Sequence, residues 1–127
     1  MSEVVLDASA LLAVINNEPG GDRVTEVLYG AAISAVNMAE VLAKLVDEEK
    51  SEEALRSALG SFPVTVVPFD EEQAYLAGLL RQTTRSQGLS LGDCSCLALA
   101  HSLGLPAFTA DRAWSNLNVG VEVILVR

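Results

Sequence analysis

Short apolar runs recur along the chain, and all but the last lead into a stretch of helical length. Residues 3–7, 31–34, 64–67, 107–109 and 121–126 read as strands. Between them, Ser9 opens an apolar run to Ile15 that Glu18-Pro19-Gly20-Gly21 breaks. Asp22 to Tyr29 carries Val24, Val27 and Leu28 at helical spacing, with Gly30 closing it. Val36 to Glu49 has the stripe Met38, Val41, Leu42, Leu45. Ser51 reads as a helix N-cap, with Glu52 and Glu53 in the favourable first turn. Asp70-x-x-Gln73 predicts a capping box for a helix to about Arg85, with Leu76, Leu79 and Leu80 on its buried side. Ser90 opens a helix to Leu103 that Gly104 ends, and Asp111 to Ser115 reads as a short helical turn. Strands alternating with helices imply βαβ crossovers. The expected fold is therefore α/β in three layers, a mostly parallel sheet of about five short strands with helices on both faces. No repeat or linker interrupts the pattern, so residues 1–127 are expected to form a single domain.

Hydrophobic residues make up 50% of the chain and mean hydropathy is +0.36, which points to an apolar face covered by another chain. No run approaches the ~18 apolar residues of a membrane helix. A basic region followed by an apolar stretch and a cleavage site is not visible at the start, so a cytoplasmic setting is expected. Cys94 and Cys96 stand two apart, on different faces of a helix, which suits reduced thiols and is a poor zinc pattern. The net charge of −9 argues against a broad basic footprint for nucleic acid. It suits a chain that gathers acids or meets a basic partner, and equally an ordinary solvated surface.

In open α/β sheets, ligands bind beyond the carboxyl ends of the strands. Asp7 ends the first strand, and Asp111 follows the strand that ends at Thr109. Asp93 lies in the first turn of the helix before that strand, and Glu40 in the first turns of the helix after strand two. A fold that joins these ends makes one acidic pocket. Each acid also has a local reading. Asp7 and Asp111 suit helix caps, Asp93 completes Ser90-x-x-Asp93, and Glu40 can pair with Lys44. Asp7 and Asp93 differ from the others in being set within almost wholly apolar stretches, with no Lys or Arg adjacent. A carboxylate there is costly unless paired or bound to a metal. Converging acids relieve their repulsion by protonation or by a cation, and hard oxygen ligands select Mg²⁺ or Mn²⁺.

Four segments carry a resemblance: Val5-Leu6-Asp7-Ala8-Ser9-Ala10-Leu11-Leu12, Asn37-Met38-Ala39-Glu40-Val41, Leu89-Ser90-Leu91-Gly92-Asp93-Cys94-Ser95-Cys96-Leu97-Ala98-Leu99-Ala100, and Thr109-Ala110-Asp111. The chain resembles a PIN domain, specifically the toxin nuclease of VapBC toxin–antitoxin pairs, over nearly its whole length. The resemblance implies a Mg²⁺- or Mn²⁺-dependent endoribonuclease that leaves 5′-phosphate and 3′-hydroxyl ends. Asp7 and Asp93 would be the main metal ligands, and Glu40 and Asp111 would complete the pocket. Ser9 and Thr109 would orient carboxylates or waters, although helix capping and strand pairing would also explain them. The resemblance further implies a homodimer, silenced by a cognate antitoxin. Many relatives place a basic residue directly after the third acid, where this chain has Cys94. Arg81, Arg85 and Arg112 are the candidate RNA contacts instead, and each also reads as a solvated charge.

Three alternatives fit less well. A phospho-accepting receiver domain would want paired acids after strand one and a late Lys. A haloacid-dehalogenase-like phosphatase would want Asp-x-Asp where Asp7-Ala8-Ser9 stands. A catalytically inactive PIN-like binding domain would not need all four acids. A histidine-pair ribonuclease is excluded, because His101 is the only histidine.

Overall fold

Val4–Leu6 (β1), Ala31–Ser34 (β2), Thr65–Val67 (β3), Ala107–Thr109 (β4) and Val123–Leu125 (β5) form one sheet in the computed structural model, which describes residues 1–127. The order is β3-β2-β1-β4-β5 and every pairing is parallel. The helices are Ala8–Ile15 (α1), Gly21–Thr25 (α2), Ala35–Asp47 (α3), Glu52–Gly60 (α4), Glu71–Thr84 (α5) and Leu91–Leu103 (α6).

β1 is apolar without alternation because it is covered on both faces. Val4 and Leu6 pack into a core with Leu11, Val41 and Leu45 from α1 and α3. Val5 points the other way, into a core with Leu97 and Leu99 of α6 and with Trp114. The sheet is therefore the middle layer of an α/β/α sandwich. Leu11, Leu45, Leu97 and Leu99 are almost wholly buried, each contributing roughly 1.5–3 kcal/mol of apolar burial.

The order places the site. From β1 the chain steps outward through β2 to β3, then returns to the other side of β1 for β4 and β5. The crevice between β1 and β4 is the topological switch point, where open parallel sheets bind ligands. Helix α6 leads back into β4, so its N-terminus lies at the same edge as the carboxyl ends of the strands.

Several local expectations are corrected. The helix expected from Asp22 to Tyr29 stops at Thr25 and is followed by a 3₁₀ turn, Leu28–Gly30. That turn buries Leu28 and presents the Gly30 carbonyl to the Glu3 N–H at 2.6 Å, at the entrance to the β1–β2 ladder. The last strand covers only Val123–Leu125 of the expected 121–126. At the start of α5, Asp70 accepts from the Gln73 N–H, but the Gln73 amide donates to the Pro68 carbonyl rather than reaching back, so only half the box forms.

Candidate metal centre

Asp7 stands at the switch point. Its extended backbone makes it the N-cap of α1. Oδ1 accepts from the Ala10 N–H at 2.8 Å and the Ser9 hydroxyl at 2.7 Å. Oδ2 accepts from the Thr109 hydroxyl at 2.5 Å. Both hydroxyls are anchored in turn. Ser9 Oγ accepts the Ala110 N–H at 2.9 Å, and Thr109 Oγ1 accepts the Asp111 N–H at 3.0 Å. Two hydroxyls thus stitch the carboxylate after β1 to the loop after β4. Asp7 is only 3% exposed. Burial pushes its carboxyl up to about 6 against the pull of its three donors, and the charge of Asp93 adds to the rise.

Asp93 forms a complete capping box. Its N–H donates to Ser90 Oγ at 3.1 Å, and its Oδ2 accepts the Ser90 N–H at 2.9 Å. The residues after it on α6, Cys94 to Ala100, are buried, while Asp93 itself is half-buried. Burial raises its carboxyl, the bonds to Ser90 oppose that, and Asp111 adds to it.

Glu40 is exposed and does not pair with Lys44; the only ion pairs are Arg56–Glu52 and Arg127–Glu18. Its Oε1 accepts instead from Asn37 Nδ2 at 2.8 Å, and its carboxylate lies against Gly92 of α6. Asp111 is exposed and caps the 3₁₀ turn Arg112–Trp114, its Oδ1 accepting the Ala113 N–H at 2.9 Å. The buried Cys96 thiol is raised by burial first, then by the charges of Asp7, Asp93 and Glu40. Cys94 and Cys96 are unbridged, as their spacing suggests, and both are buried.

The capping readings are thus realised for Asp7, Asp93 and Asp111, but they do not exhaust these groups. Asp93, Asp111 and Glu40 each engage one carboxylate oxygen and leave the other without a hydrogen bond. Asp7 uses both, with three of about four lone pairs occupied. No Lys or Arg pairs with any of the four. As the side chains stand, no three of them lie close enough to share one ion. The donor chemistry nevertheless suits a hard divalent cation, being carboxylate oxygen throughout, unneutralised, and raised in pKa at the two more buried groups. Asp7 and Asp111 follow the carboxyl ends of β1 and β4, and Asp93 lies in the first turn of α6. None of the four acids lines the largest hollow, which lies by Tyr75, Leu79 and His101 of α5 and α6.

The arginines divide. Arg81 Nη1 donates to the Leu89 carbonyl at 2.7 Å, fastening α5 to the approach of α6. Arg85 and Arg112 are exposed and make no ion pair. Asn37 has no role in the sequence reading beyond membership of its segment. The available signal was Asn37-x-x-Glu40, neighbours on one helix face.

A family model for the PIN domain matches residues 4–119. No curated protein matches the chain in sequence. Among solved structures, the chain is similar to DNA-bound VapBC from Salmonella typhimurium (TM-score 0.80, 20% identity, 100% of both chains). It is also similar to a toxin–antitoxin complex from Klebsiella pneumoniae (0.76, 19%, 98% of both). A third is Mycobacterium tuberculosis VapC20, described as a sarcin–ricin loop cleaving toxin (0.75, 16%, 94% of this chain and 99% of that one). With the family model spanning nearly the whole chain and the acids at the switch point of the expected sheet, this protein belongs to the PIN domain family.

Proposed function

We propose that this protein is a Mg²⁺- or Mn²⁺-dependent endoribonuclease, the toxin of a VapBC-type toxin–antitoxin pair. Asp7 carries the reading. It is a buried carboxylate held by three donors, so it is built to be ionised, yet its carboxyl is pushed up to about 6 and no basic side chain neutralises it. A bound divalent cation would supply the positive charge that no basic side chain provides.

Asp7 and Asp93 would hold the ion, with Glu40 and Asp111 completing the pocket. When bound, the metal supplies a Lewis acid that acidifies water and offsets charge gathering on the phosphodiester. Ser9 and Thr109 keep the Asp7 carboxylate in one orientation, and the capping box does the same for Asp93. Arg85 and Arg112, exposed and without an ion-pair partner, are the candidate contacts to RNA phosphates. With a net charge of −9, RNA affinity must rest on such local groups, the metal and a second protomer.

The names of the similar structures support an antitoxin partner, and that of VapC20 supports RNA as the substrate. Exposed Val46, Leu59, Tyr75 and Leu79 suit a homodimer or a bound antitoxin. No helix is long and apolar enough to cross a membrane, which agrees with action in the cytoplasm.

The test is cleavage of a labelled RNA pool by the purified chain. Cleavage should require Mg²⁺ or Mn²⁺, stop with chelator, and vanish in Asp7→Asn and Asp93→Asn with the circular dichroism spectrum unchanged. Undiminished cleavage by both variants sinks the assignment.

A further inference from the structure

Asn37 is 1% exposed and sits in the first turn of α3. Its Nδ2 donates twice, to Glu40 Oε1 at 2.8 Å and to the carbonyl of Gly92 at 3.0 Å. Its Oδ1 is buried with no partner. The amide orientation is forced, because both neighbours are acceptors and only the NH₂ group can serve them. The unpartnered Oδ1 costs about 1–3 kcal/mol, which an apolar residue here would avoid.

Folding does not require either bond. The Gly92 carbonyl lies in α6, where the helical ladder supplies it with the N–H four residues on. Glu40 is exposed and could be solvated by water. The two donations do one thing together: they bridge α3 to the first turn of α6 and fix the Glu40 carboxylate one residue from Asp93. Gly92 is shaped to the same end. A Cβ there would meet the Glu40 carboxylate, with its Cδ at 2.7 Å.

We infer that Asn37 is a positioning residue of the acidic site, holding the Glu40 carboxylate against the Gly92 backbone beside Asp93, with the missing side chain of Gly92 making the room. This inference rests on the metal-dependent reading of the site. Asn37 acts through Glu40 and needs no contact with substrate.

The test uses Mn²⁺ alone, its binding followed by electron paramagnetic resonance, with thermal melts alongside. Asn37→Ala should keep the fold and weaken Mn²⁺ binding by about 10–100-fold, the usual effect of removing a group that orients a metal ligand. In a Glu40→Gln background the same change should alter binding by no more than about twofold, since the carboxylate it positions is already gone. Gly92→Ala should weaken Mn²⁺ binding without lowering the melting temperature, because alanine favours a helix over glycine. A purely structural role predicts the reverse: equal losses from Asn37→Ala in both backgrounds, or losses that follow stability. Either result overturns the inference, as does wild-type Mn²⁺ affinity in Asn37→Ala. Absence of Mn²⁺ binding by the wild type overturns the metal reading itself, and the inference with it.

Discussion

The Thr109 hydroxyl donates to Asp7 Oδ2 at 2.5 Å, across 102 positions of sequence, while accepting the N–H of Asp111 at 3.0 Å. One side chain thus relates two of the four acids. Its donation also lowers the Asp7 pKa, and it is the largest influence opposing burial. Thr109→Val keeps the shape and removes the hydroxyl. Asp7 should then protonate more readily and lose its orientation. The expected cost is about 1–3 kcal/mol of stability and about 10–100-fold in cleavage. Thr109→Ser should restore most of both. Urea unfolding and cleavage rates of the two variants check this, and a Val variant as active as wild type refutes it.

Asp7 should also set a pH dependence of stability in the metal-free protein. A carboxyl whose pKa is raised by folding holds its proton more tightly when folded. Its favourable contribution is complete below the ordinary 3.8 and is lost as pH rises through about 6. At 1.36 kcal/mol per pH unit the whole loss is about 3 kcal/mol, roughly half of it between pH 5 and pH 7.5. Urea unfolding in chelator should show this decline. Asp7→Asn should flatten it, because an amide does not titrate, and should keep the fold, because the new NH₂ can donate to Thr109 Oγ1 while that hydroxyl turns toward Ser9 Oγ, 3.3 Å away. Excess Mn²⁺ at pH 7.5 should recover the stability, by about 2.7 kcal/mol at a hundred times its dissociation constant. A flat profile for the wild type contradicts the assignment.

The capping of α6 by Asp93 and its proposed role in the metal site can be separated by substitution. Asp93→Asn retains an oxygen for the Ser90 N–H, so α6 should stay capped while cleavage is lost. Asp93→Ala should lose cleavage and about 1 kcal/mol as well. Ser90→Ala should cost a similar amount of stability and leave cleavage measurable, since the carboxylate survives. Melts and single-turnover rates on the three variants decide it; equal stability of Asn and Ala variants argues against the cap.

The arginines should part along the lines of their contacts. Arg81→Ala should lower stability by about 1 kcal/mol, because the Leu89 carbonyl loses its charged donor. Arg85→Ala and Arg112→Ala should leave stability unchanged. Each should weaken RNA binding and reduce the slope of log affinity against log salt by about 1. Binding isotherms at several salt concentrations, using the uncleaving Asp7→Asn form, measure it. A slope unchanged in both variants removes them from the RNA surface.

The chain's own order of residues determines what depends on near neighbours. Apolar runs and helical stripes mark the five strands and the main helices, and Ser51, Ser90 and Gly104 mark where helices begin and end, because caps and ladders join residues a few positions apart. Asp7 and Asp93 stand out for the same local reason, as acids in apolar segments. The split of the helix expected from Asp22 to Tyr29 is not legible, since it follows from the need to bury Leu28 and deliver Gly30 to β1. Nor is the half-made box at Gln73, whose amide takes the Pro68 carbonyl instead.

Only the tertiary structure decides what holds the site. The parallel order β3-β2-β1-β4-β5 brings Asp7, Asp93 and Asp111 to one edge. Thr109 reaches Asp7, and Asn37 reaches Gly92 across 55 positions. Such bonds depend on how layers pack, and no spacing along the chain encodes them. The sequence therefore determines which residues carry the charge, while the packed sheet decides which hydroxyls and amides aim it.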